Sequence, residues 1–173
     1  MDNQEISKIT SRMIARAQTG LSFIEHYLDS QRNSSGPDLA WLRSVYIVLS
    51  FHFEIILKSR LVASQFFKSK NDLEKKLKKV GHDIMAISRE LGNIELKKLN
   101  IEKISLNGGE YIIKTTNKTI YINDFNDIRY DFIEGRVRSV KRDENKKIAE
   151  SVEGARDILK KIIIENNLSI VRS

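Results

Sequence analysis

Apolar residues recur at steps of three and four from Ile6 through Ile9, Met13, Ala17, Leu21 and Ile24 to Leu28, which is the spacing of one helical stripe. The pattern predicts a first helix from about Glu5 to Arg32. "NSSGP" interrupts it, with Gly36 placed as N-cap and Pro37 at the first helical position, where a missing N–H costs little. A second helix is expected from Pro37 to about Phe67. It carries Trp41, Leu42, Val45, Tyr46, Val48, Leu49, Phe51, Phe53, Ile55, Ile56 and Leu57 around most of its circumference. Such a helix must be covered on several sides, by other helices or by a second subunit, and it is the expected centre of the fold.

"NDLE" reads as a capping box, with Asn71 as N-cap and Glu74 at the third helical position, opening a short helix through Leu73, Leu77 and Val80. Gly81 is expected to end that helix and Asp83 to cap the next, whose buried stripe is Ile84, Ile87 and Leu91 until Gly92 stops it. The period then changes. "IEKISL", "EYIIKT" and "TIYI", joined by "NGG" and "TNK", predict a small antiparallel meander between Ile101 and Ile122, with Asn107-Gly108 as the hairpin signal. Set inside a helical chain, it is expected as an insertion at about residues 100–123, packed on the flank of the helices. Helical spacing resumes after Asp124 with Phe125, Ile128, Phe132, Val137 and Val140, weakened by Gly135. A last helix carries Ile148, Val152, Ala155, Leu159 and Ile162. The chain is therefore expected to be mainly α, a bundle built on two long antiparallel helices with a β-meander insertion.

Composition narrows the chemistry. The 173 residues fit one domain able to bury a continuous core, and neither a repeat nor a long linker argues for a second. With no cysteine, disulfides, thiolate nucleophiles and cysteine-bound zinc are excluded. The longest apolar block, "VYIVLSFHFEIIL", is broken by His52 and Glu54 and is shorter than the roughly 20 residues of a spanning helix. "MDNQEISKIT" has neither the basic start nor the apolar run of a secretory signal. A cytoplasmic protein without a membrane partner is expected. The net charge of +7 favours anionic partners without choosing among them. No glycine-rich phosphate loop is present, and three scattered histidines make no metal-ligand pattern. Neither metal nor cofactor is expected.

The order of motifs carries further. "FHFEIILKSRL" late in the second helix, then a lysine-rich helix, then "GHDI" and later "IRYDF" resemble the higher eukaryote and prokaryote nucleotide-binding (HEPN) superfamily. "FEIILK" looks like its apolar-Glu-apolar-Lys helix and "GHDI" like its Gly-His-Asp-apolar turn. The resemblance spans most of the chain and implies a helical bundle, frequently dimeric through its long helices, linked to RNA or nucleotides. Many members are metal-independent ribonucleases of defence and toxin-antitoxin systems that use an arginine and a histidine separated by about four to six residues. This chain departs from that pattern: none of His26, His52 and His82 follows an arginine at that spacing.

The candidate residues follow from both readings. Glu54 and Lys58, four apart on one helix, can form an ion pair, and apolar neighbours require the carboxylate to be paired or protonated. His82, at a helix entrance, can contact a phosphate, shuttle a proton or satisfy a carbonyl. Asp83 is read as a cap. Arg129, beside Tyr130, can meet Glu54 or Asp83 in a polar network, or converge with His82 for cleavage by a ribose 2′-hydroxyl. Two basic runs, "KSKNDLEKKLKK" and "RVRSVKRDENKK", can steer a phosphate backbone or form solvated faces. The leading expectation is a non-catalytic binding or dimerising module in an RNA-linked or defence system, with a homodimer and a protein from a paired system as partners. A ribonuclease with a rearranged site using His82 with Arg129 or Lys58 is the first rival, and a homodimeric scaffold the second.

Overall fold

A computed structural model of the chain describes residues 1–31, 39–124 and 144–166, with backbone alone for residues 39–41. Among these are five helices and one three-stranded sheet: α1 (Asn3–Gln31), α2 (Leu39–Ser64), α3 (Lys70–Val80), α4 (Ile84–Lys98), β1 (Ile101–Asn107), β2 (Glu110–Thr115), β3 (Thr119–Asn123) and α5 (Glu144–Glu165). The mainly helical bundle with a small meander is as expected. The expected helix after Asp124, the Gly36-Pro37 start of α2 and the Trp41 side chain lie outside the described residues.

The long helices α1 and α2 are antiparallel. The Met1 amino group, at the start of α1, donates to the carbonyls of Phe67 at 2.9 Å and Lys68 at 3.2 Å, just past the end of α2. Ile14, Ala17, Leu21 and Ile24 bury the inner stripe of α1, while Ile6, Ile9 and Met13 cover a smaller cluster of Val62, Phe67 and Leu73. α2 is the centre. From Phe53 to Val62 every side chain is buried except Lys58. Its cover comes from α1, α4, α5 and β3, as its all-round apolar surface requires.

The α1–α2 seam closes because α1 has a glycine where α2 has a ring. A Cβ on Gly20 would lie 2.2 Å from Cδ2 of His52. α5 uses the same device toward β3, since a Cβ on Gly154 would lie 2.5 Å from Cγ1 of Ile120.

α3 starts two residues earlier than the expected Asn71 cap. Ser69, in extended conformation, accepts from the Asp72 N–H, and the Asp72 carboxylate accepts from the Lys68 N–H. A hydroxyl and a carboxylate three apart thus form the cap. Gly81 ends α3 at φ 55°, and Asp83 caps α4 by accepting from the Met85 N–H at 2.8 Å, both as expected. Gly92 breaks α4 with φ 76° and ψ 163°, but helix resumes immediately and continues to Lys98.

The meander runs β1-β2-β3 with both pairs antiparallel. Its first turn centres on Gly108 and Gly109, both at positive φ, one residue beyond the Asn107-Gly108 signal. The flank insertion expected from sequence is more deeply placed. Tyr111, Ile113, Ile120 and Ile122 are at most 2 % exposed and belong to the same core as α1, α2 and α5. The physical reason is strand alternation, which sends these residues to one face and that face onto the helices.

Candidate functional site

The middle of α2 carries charge inside its apolar surface. Glu54 is 4 % exposed, and both of its carboxylate oxygens are occupied. Oε1 accepts from Lys58 Nζ at 2.6 Å, one turn along α2, and Oε2 lies 2.9 Å from His82 Nδ1. His82 arrives from the turn between α3 and α4, where Gly81 reverses the chain and Asp83 starts the next helix. Glu54, Lys58 and His82 thus form one cluster from residues distant in sequence.

The three members face different surroundings. Lys58 keeps only 12 % of its side chain exposed, whereas His82 keeps half. A carboxylate accepts hydrogen bonds, so Nδ1 of His82 donates, and in the neutral ring the lone pair is then on Nε2. Lys58 balances the charge of Glu54, since a buried carboxylate without a cation would be strongly disfavoured. Its ammonium group is already engaged by Glu54.

Asp83 belongs to the neighbouring layer. Its Oδ1 accepts from the Met85 N–H and also from the Tyr111 hydroxyl at 3.2 Å, while Arg89 lies 3.7 Å from Oδ2. Burial pushes the Tyr111 hydroxyl well above its usual pKa, and the charges of Asp124 and Asp83 push the same way. Tyr111 therefore stays a donor and ties β2 to the histidine turn. The anionic Asp83 at the amino end of α4 also opposes a phosphate there, despite the favourable helix dipole.

Basic side chains rim the turn. Lys75, Lys78, Lys79 and Arg89 are exposed on α3 and α4. Lys76 hydrogen-bonds Glu90 and holds that carboxyl below its usual range. The first basic run is therefore partly spent on acids and partly presented to solvent.

Of the residues singled out from sequence, Glu54 and Lys58 of α2 meet His82 in one hydrogen-bonded cluster, and Asp83 stands beside it as the cap of α4. Arg129 and Tyr130 lie outside the described residues, as does most of the second basic run. Tyr111 was missed as a site neighbour. Its position two before Ile113 signalled an inward side chain, but nothing local named Asp83 as its acceptor. A second buried ion pair was also missed. Arg60, 6 % exposed, donates to Glu95 and to Asn166 at the end of α5. Burial raises the Glu95 pKa, and the hydrogen bonds from Lys98 and Arg60 outweigh that effect and hold it low.

A cleft of about 660 Å³ between α1 and α5 and one of about 290 Å³ beside the β2–β3 turn contain none of these residues. Among the described residues, no helix is long and apolar enough to cross a membrane. No family model matches the chain, and neither a curated protein nor a solved structure is significantly similar to it.

Proposed function

We propose that the chain is a HEPN-like module that contacts RNA or a nucleotide at the His82 turn without cleaving it. In this reading it acts in the cytoplasm as a homodimer within a paired, defence-type system. The observation that supports it most is the meeting of Glu54 and Lys58 of "FEIILK" with His82 of "GHDI" in one cluster. These are the motifs on which the resemblance rests. The half-exposed imidazole and the exposed lysines of α3 suit an anionic ligand, against the opposing charge of Asp83 at the start of α4. Lys58 is turned inward and engaged by Glu54, which leaves it poorly suited to stabilise a developing charge.

One feature favours the rival reading of a metal-independent endoribonuclease. A carboxylate on Nδ1 orients an imidazole and fixes the tautomer whose Nε2 lone pair can act as a general base for a ribose 2′-hydroxyl. Incubation of the protein with single-stranded and structured RNA in EDTA separates the two. The proposal expects salt-sensitive binding without cleavage, weakened in His82→Ala. Cleavage that disappears in His82→Ala would establish the nuclease instead. A stable dimer that neither binds nor cuts RNA would leave the scaffold.

A further inference from the structure

α1 presents a second surface that the His82 turn does not explain. Lys8, Arg12 and Arg16 follow one another at steps of four and are all exposed. Each step advances about 6 Å along the helix, and all three stay on one face. None forms an ion pair with a described residue, unlike Arg60, Lys118, Lys147 and Arg156. Phe23, 48 % exposed, lies on the same face two turns beyond Arg16.

The acids of the outer half of α1 turn elsewhere. Glu25 pairs with Arg156 of α5, and Glu25 and Asp29 line the α1–α5 cleft. Glu5, one turn before Lys8 on the same face, pairs with Lys70 of α3, so among the described residues the stripe is a track of cations without ion-pair partners, ending in an exposed aromatic ring.

This surface is remote from the candidate site. His52 meets Gly20 on the α1 side of α2. Glu54 is two residues further on and projects about 200° around the helix, toward His82.

We infer that this face of α1 binds a single-stranded nucleic acid, its phosphates along Lys8, Arg12 and Arg16 and a base stacked on Phe23. Charge complementarity selects a polyanion, and an aromatic group in line with a cationic track is the composition of a single-strand interface. Guanidinium forks at two of the three positions suit phosphate oxygens. A membrane surface is a poorer fit. Interfacial helices insert their apolar face, and that of α1 is committed to the core through Ile14, Ala17, Leu21 and Ile24.

The test is fluorescence anisotropy with a labelled short oligouridylate and with a duplex of the same length, over a salt series. Three variants are compared with the wild type: Lys8→Gln/Arg12→Gln/Arg16→Gln, Phe23→Ala and His82→Ala. All four substituted positions of the stripe are exposed, and unchanged circular dichroism and melting confirm that the fold is retained. The triple variant should lose at least tenfold in affinity, and its log–log salt slope should fall by about 2, for three phosphate contacts on a single strand. Phe23→Ala should weaken binding by about fivefold to a hundredfold with the slope unchanged. His82→Ala should leave both stripe signatures in place, so failure of the turn as a ligand site and failure of this surface read out separately. Wild-type affinity in the triple variant, no effect of Phe23→Ala, or equal affinity for the duplex would overturn the inference.

Discussion

Tyr111 shows how one hydroxyl connects the sheet to the histidine turn. It is 2 % exposed and donates to Asp83, the cap of α4 and the neighbour of His82. Tyr111→Phe should cost about 0.5–1.5 kcal/mol, because it removes one hydrogen bond from a carboxylate that keeps its Met85 donor and 47 % of its side chain exposed. The pH dependence has a definite sign. The folded state holds the Tyr111 proton more tightly than the unfolded chain, whose hydroxyl ionises near the usual 10.0. Its contribution is complete below about pH 10 and is lost as pH rises beyond that toward the folded value. Urea midpoints measured across the alkaline range should fall in the wild type, and less steeply in Tyr111→Phe. Glu54 illustrates a different residue-scale rule. The i, i+4 spacing made its pairing with Lys58 readable, but the second oxygen went to a histidine 28 residues away, which only the folded chain reveals.

At the scale of elements, the α1–α2 seam depends on the missing side chain at position 20. Gly20→Ala should be destabilising by about 1–3 kcal/mol, despite alanine's better helix propensity, because its methyl group meets the His52 ring. Gly20→Ala/His52→Ala should recover most of that loss in thermal melts, and simple additivity of the two changes would refute the steric account. Most elements were legible because each has its own period. The 3.6-residue stripes of α1 and α5 and the alternation of β2 are local signals. The α3 cap was misplaced for an equally local reason. Two overlapping capping patterns compete there, Ser69 with Asp72 and Asn71 with Glu74, and the backbone takes the earlier one. Arg60 and Glu95 were not legible as a pair, since nothing in either helix names the other as partner.

For the whole molecule, the meander and the helices share one core. Replacing residues 101–123 with a short Gly/Ser linker removes Tyr111, Ile113, Ile120 and Ile122 from the shared core, along with the packing of β3 on α2 and α5. Such a chain should lose cooperative unfolding and the native near-ultraviolet dichroism, whereas a dispensable appendage would leave both unchanged. The sequence placed the sheet on a flank because strand patterning tells which face is buried but not what lies beneath it. The central position of α2 also bears on the order in which the chain is made. Glu144, where α5 begins, comes 80 residues after Ser64 at the end of α2. During translation the greasiest helix therefore leaves the ribosome well before part of its cover exists. Nascent chains stalled ahead of Glu144 should expose that surface and need a chaperone to stay dispersed.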